Sequence, residues 1–228
     1  MLRRFEQRPP GKLEVVGGNV GGYYSPGSLD GSRPGRFYAR INQPEPVYQM
    51  RSLAYHEGIP GHHYQITLAA MADLPFFRNL VGFTGYIEGW ALYAEYLAYD
   101  LGWYADDPYG DLGRLQYEAL RASRMVVDTG IHAMGWSFEE AENYMVGNTG
   151  MDRGFMQYEI MRYISYPAQA TAYLVGKNEL LRMRSESEEI LGDDFVLAEF
   201  HSVILENGSM PLEVLESILQ KWVAEKAG

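Results

Sequence analysis

From Pro46 to the C-terminus the sequence reads as one helical segment after another, and that run leaves room for little else. Apolar residues recur at helical spacing over 46–72, 77–101, 108–134, 138–147, 151–164, 167–187, 194–204 and 211–226. Local end signals agree. Ser137 followed by Glu140 makes a capping box, and Pro211 after Ser209 suits a first helical position. The first 45 residues are rich in Gly and Pro instead, with strand-like stretches at 13–16 and 35–41. A short hairpin or a single edge strand fits them. The expected fold is therefore mainly α: a multi-helix domain over 46–228, with 1–45 adding a small β element to the same domain.

The most apolar window, 80–104, contains Glu88, Glu95 and Asp100, which are costly in lipid; it reads as a buried helix, not a membrane span. A net charge of −11 without a basic stripe argues against nucleic acid as a partner. Met1 leads into Arg3, Arg4 and a Pro-rich stretch, with no signal-peptide core, so the expectation is a soluble protein, cytoplasmic or periplasmic. The chain has no Cys, so a zinc site here must use His and carboxylates.

Of five histidines, three fall within Tyr55-His56-Glu57-Gly58-Ile59-Pro60-Gly61-His62-His63. The familiar zinc-protease helix carries His-Glu-x-x-His, with two His on one face and the Glu toward the reacting water. Here Pro60 stands four residues after His56, so the partner is His62 or His63. On a regular helix seven residues span about 10 Å, too far for two rings to share one ion. His62 works if the helix breaks. Pro60 supplies the cause, because it lacks the N–H that would bond the His56 carbonyl, and Gly61 tolerates unusual backbone angles. The choice is His56 with His62, with His63 as the alternative ligand.

The third ligand should be a carboxylate. Glu88 lies in Tyr86-Ile87-Glu88-Gly89-Trp90-Ala91-Leu92-Tyr93, apolar nearly all round, where a buried carboxylate needs a cation or metal. Glu95, seven residues on, could hold the far nitrogen of a ligand His. Arg124, Asp128 and His132 recur every four residues on one helical face. Asp128 could orient His132 toward an oxyanion; a buried Arg124–Asp128 ion pair is the competing structural explanation. Tyr173, on a face with Gln169 and Lys177, is a second candidate oxyanion donor, although 18 tyrosines make a chance Tyr on any face common.

The stretch from Ala54 to Gln65 resembles the bacterial family called domain of unknown function 885 (DUF885), taken to be zinc-peptidase-like with a Glu as third ligand. Tyr23-Tyr24-Ser25-Pro26, Glu88-Gly89-Trp90-Ala91-Leu92-Tyr93, Val127-Asp128-Thr129-Gly130-Ile131-His132, Pro167-Ala168-Gln169-Ala170 and Asn207-Gly208-Ser209-Met210-Pro211-Leu212 carry the likeness further. In that family the motif reads His-Glu-x-x-Pro-Gly-His, which implies His62 rather than His63. Its members are usually more than twice this length, and the chain resembles their C-terminal, metal-bearing half. With a cleft wall missing, the expectation is self-association or an open apolar groove.

The leading expectation is a zinc metallopeptidase. His56, His62 and Glu88 hold Zn2+, Glu57 is the general base, His132 or Tyr173 assists, and a strand near 35–41 aligns an extended peptide. Two other readings stand beside it. One is a metal-dependent hydrolase of small amides or esters; the other is a non-catalytic truncated paralogue acting as a binding module.

Overall fold

The computed structural model describes residues 12–16, 22–40 and 46–228. Parts of the expected N-terminal element, at 1–11, 17–21 and 41–45, lie outside the described residues. Strands β1 (Lys12–Val16), β2 (Tyr23–Ser25) and β3 (Arg36–Arg40) form a small mixed sheet in the order β1-β3-β2. β3 pairs in parallel with β1 and antiparallel with β2, with Tyr24 opposite Phe37 and the Tyr23 and Tyr38 rings stacked 4.8 Å apart. The expected small β element is present, with β2 and β3 as its antiparallel pair and β1 added in parallel on the other side of β3. β3 is the central strand, paired on both sides, and has no free edge to align a peptide as the sequence reading supposed. β2 escaped notice because three residues in a Gly-rich stretch carry no alternation to read.

The helices follow: α1 (Val47–Glu57), α2 (His62–Met71), α3 (Thr84–Asp100), α4 (Pro108–Met134), α5 (Phe138–Thr149), α6 (Arg153–Ser165), α7 (Ala172–Leu191), α8 (Leu197–Glu206) and α9 (Leu212–Ala227). Their ends obey local chemistry. Asp107 accepts from the Gly110 N–H at the start of α4, and Gly135 ends that helix in the left-handed region at φ 72°. The Ser137–Glu140 capping box opens α5. None of the described helices is long and apolar enough to cross a membrane.

The 46–72 segment is two helices, broken at 58–61, the interruption expected from Pro60 and Gly61. Two other expected helices are revised. The 77–101 segment starts late, because Phe76–Asn79 form a 3-10 turn and the Phe83 N–H is held by Ser209 Oγ at 2.8 Å. The 167–187 segment begins as turns, with α7 proper starting at Ala172.

Two apolar clusters organise the packing. One joins α3, α7, α8 and α9 through Tyr86, Trp90, Tyr93, Leu180, Phe200 and Ile204. The other joins α4, α5 and α6 through Leu120, Val127, Met145, Met156, Ile160 and Tyr163. Within the first, α3 and α7 touch backbone to backbone. A Cβ on Gly176 would sit 1.9 Å from the Gly85 carbonyl oxygen, and one on Gly89 would sit 2.5 Å from Gly176 Cα. Only glycine permits that approach. It brings Glu88 of α3 and Tyr173 of α7 to the same part of the molecule.

Candidate metal centre

The break between α1 and α2 sets the geometry. Pro60 offers no N–H and its peptide with Ile59 is cis; the Pro60 carbonyl instead accepts from Trp90 Nε1 at 2.8 Å, tying the break to α3. Gly61 is obligatory, since a Cβ there would lie 1.9 Å from the His56 carbonyl oxygen. The chain turns in four residues, so His56 stands in the last turn of α1 and His62 begins α2. Their rings meet edge to face, 4.8 Å between centroids.

Glu88 completes the group. Its Oε2 lies 3.2 Å from His62 Nε2 and 3.6 Å from His56 Nε2. One donor atom from each of His56, His62 and Glu88 falls within 4.8 Å of the other two. A tetrahedral zinc bound at about 2.0–2.1 Å holds its donors roughly 3.3 Å apart, so a small adjustment of side chains suffices. The surroundings fit a cation as well. Glu57 Oε2 is buried with no hydrogen-bond partner among the described residues, and the buried Glu88 Oε2 has the two imidazoles beside it, an arrangement that is costly unless something positive satisfies the carboxylates.

Beyond the three donors, His56 Nδ1 meets Glu95 Oε1 at 2.7 Å, which leaves Nε2 facing Glu88. Arg121 Nη2 donates to the same Glu95 oxygen at 3.1 Å. Glu95 is only 1% exposed. Burial alone would raise its carboxyl, but Arg121 and His56 outweigh that and hold it below the ordinary value. For His56 burial opposes charge, yet hydrogen bonds to Glu88 and Glu95 lift its pKa to about 9. Glu88 is likewise held well below the ordinary range: burial works against ionisation and the two histidines overcome it. Glu57 goes the other way. Burial raises its carboxyl, and His56 and His62 only partly offset the rise.

Tyr173 stacks near His56, with centroids 6.2 Å apart, and lies under the Arg124 and Arg121 guanidinium groups at 4.8 and 5.8 Å. Burial and the Glu88 charge push its hydroxyl up to about 12, against the pull of Arg124 and Arg162. A cleft of about 390 Å³ opens beside Glu88, lined by Thr84, Ile87, Glu88, Arg162, Tyr166 and Gln169. On the segment leading into α3, Phe76, Phe77, Leu80 and Val81 are exposed.

Other expected site residues go elsewhere. His63 faces the sheet, with its Nδ1 3.0 Å from the Tyr24 hydroxyl, and is outside the donor group. The ring stands one residue further round α2 than His62, so it points away from α3. Asp128 does not orient His132. Both its oxygens accept from the Ala168 N–H at 3.1 Å, whereas the exposed His132 ring bonds the Tyr163 carbonyl through Nε2 at 3.0 Å. The turn after α6 places a free N–H over Asp128, one helical turn before His132 is reached. Nor does Arg124 pair with Asp128; its partner is Glu159, at 2.6 Å. Sequence reading missed Arg121, Glu159 and Arg162. A buried Arg at 121 was findable, being three residues before Arg124 on an amphipathic helix.

Comparison with known proteins adds the following. Residues 14–219 match the family described as bacterial protein of unknown function (DUF885). A "putative lipoprotein" of Colwellia psychrerythraea superposes with a TM-score of 0.91 at 42% identity, over 96% of this chain and 39% of that one. A second "putative lipoprotein of unknown function", from Shewanella oneidensis, superposes with a TM-score of 0.81 at 22% identity, over 94% of this chain and 41% of that one. The chain thus spans about two fifths of the length of these solved relatives. No curated protein matches it. With nine-tenths of its length matched by one family, the chain belongs to the DUF885 family of bacterial proteins.

Proposed function

We propose that the chain is the metal-bearing part of a hydrolase that cleaves peptide bonds. One observation carries this reading. Three donor atoms of His56, His62 and Glu88 converge within 4.8 Å, next to Glu57, whose Oε2 is buried and has no hydrogen-bond partner among the described residues. A metal held only for stability needs no such neighbouring base.

The two imidazoles and one carboxylate suit zinc, which when bound would acidify a water and polarise a carbonyl. The chain's own groups do the rest. Glu57 takes a proton from the attacking water and passes it to the leaving amine. Its carboxyl is pushed up mainly by burial. Glu95 holds the His56 ring through Nδ1, and Arg121 keeps Glu95 ionised. Tyr173, with its hydroxyl at about 12, stays protonated at neutral pH and can donate to a developing oxyanion. The cleft beside Glu88 gives the substrate access. His132, bonded to the Tyr163 carbonyl, is assigned no part.

The test is Glu57→Gln. The amide cannot accept a proton, so this variant should keep its metal and fold but lose peptide cleavage by about a hundredfold or more. Near-parental turnover removes Glu57 from the mechanism. Failure of the zinc-loaded parent to cleave any member of a peptide library removes the proposal.

A further inference from the structure

We propose that Arg162, on the wall of the Glu88 cleft, receives a carboxylate of the peptide substrate; this rests on the hydrolase reading above and narrows it to a substrate class.

Charge is unbalanced beside the cleft. Arg124 and Arg162 share one carboxylate. Arg124 Nη2 donates to Glu159 Oε2 at 2.6 Å, and Arg162 reaches Glu159 through Nη2 at 2.9 Å and Nε at 3.3 Å. Among the described residues no other acidic side chain pairs with either arginine. Two guanidinium groups against one carboxylate leave one positive charge over. Holding a surplus cation away from water is costly, and one arginine would have neutralised Glu159.

The surplus faces the cleft. Arg162 is a lining residue and keeps 27% of its side chain exposed, whereas Arg124 behind it is buried with Nη1 unpartnered. The acid in the same lining is Glu88, whose Oε2 is turned to His56 and His62. An incoming carboxylate therefore meets net positive charge on one wall, in a site where water is partly excluded. A guanidinium pairs with a carboxylate more strongly and more directionally than an ammonium does.

Arg162 is also held in place. Its Nη1 donates to Gln169 Oε1. Gln169 sits in the turn that Asp128 grips through the Ala168 N–H, and Ala168 adopts φ 66° there. A non-glycine residue in that region is strained, and such strain collects where position matters. The carboxylate could be the free C-terminus of a peptide or an acidic side chain near the scissile bond.

Calorimetric titration of zinc-loaded Glu57→Gln protein separates these cases without relying on turnover. The probes are a neutral pentapeptide as free acid, the same peptide amidated at its C-terminus, and an amidated version carrying one Glu. The free acid should bind about tenfold more tightly than the neutral amide. Adding Arg162→Gln should erase the difference, whereas Arg162→Lys should keep part of it. If only the Glu-bearing amide regains affinity, the carboxylate is a side chain. Equal binding of all three peptides, or no binding of any, overturns the proposal; so does a preference that survives Arg162→Gln. The acid-against-amide comparison stands even if a position-162 variant fails to fold. Carboxylate-dependent binding without cleavage by the parent protein would remove the hydrolase reading and leave the Arg162 site.

Discussion

Gly176→Ala puts a methyl group into the close crossing of α3 and α7. The new Cβ would stand 1.9 Å from the Gly85 carbonyl oxygen and 2.7 Å from Gly89 Cα. Relaxed contacts of this kind need about 3.3 Å or more, so α3 and α7 must part by somewhat over 1 Å. The clashing atoms are backbone and cannot rotate away, so the upper end of the overpacking range applies, about 3 kcal/mol. Alanine's better helix propensity returns about 1 kcal/mol. The net loss should be about 2 kcal/mol, a large share of a typical domain's stability. The effect on the site is selective. His56, His62 and Glu88 stand on α1, α2 and α3, but Tyr173 stands on α7, so metal affinity should change little while cleavage falls. Urea unfolding reads the first effect as a lowered midpoint at constant slope. A midpoint equal to or above the parent's would refute a backbone contact between α3 and α7.

Two further outcomes are expected. Glu95→Gln leaves Arg121 buried without its carboxylate and loosens the hold on His56; it should cost roughly 3–5 kcal/mol and weaken zinc binding about 10- to 100-fold. Unchanged zinc affinity in a competition titration would show that Glu95 serves packing alone. The second concerns acid. Burial depresses His201 to about 4 from an ordinary 6.5, and Arg124 and Arg162, working against burial, hold Glu159 at about 2 rather than 4.5. Both folded values lie below the unfolded ones, so the stability they support is complete above pH 6.5. It declines from 6.5 through 4 for His201 and from 4.5 through 2 for Glu159, by about 3 kcal/mol each at the limit. His201→Gln should flatten the loss between pH 6.5 and 4 in urea titrations; an unaltered slope there would exclude His201 as its source.

How much of this could be read from the sequence differs by element. α4 and α5 were legible nearly to the residue, because Asp107-Pro108, Gly135 and Ser137–Glu140 are end signals that act locally. The start of α3 was not, since what delays it is a hydrogen bond from Phe83 to Ser209, 126 residues away. At the site, the meeting of His56 and His62 was legible because Pro60 and Gly61 break the helix between them, and Glu88 was legible as a carboxylate in an apolar segment that needs a positive partner. The partners of Asp128 and Arg124 were not. Helical spacing says which residues share a face, but the neighbours of that face are chosen by α6 and the turn at 166–171. The role of 35–41 was misjudged for the same reason, as an edge strand and a central strand differ only in what pairs with them.

A metal bound by His56, His62 and Glu88 is the central claim, and metal analysis tests it directly. Protein purified without added metal, then equilibrated with zinc and desalted, should carry about one zinc per chain by plasma mass spectrometry. His62→Ala and Glu88→Ala should each lose it, and His63→Ala should retain it. Parent protein without zinc, or a full complement in the His62 and Glu88 variants, would contradict the account.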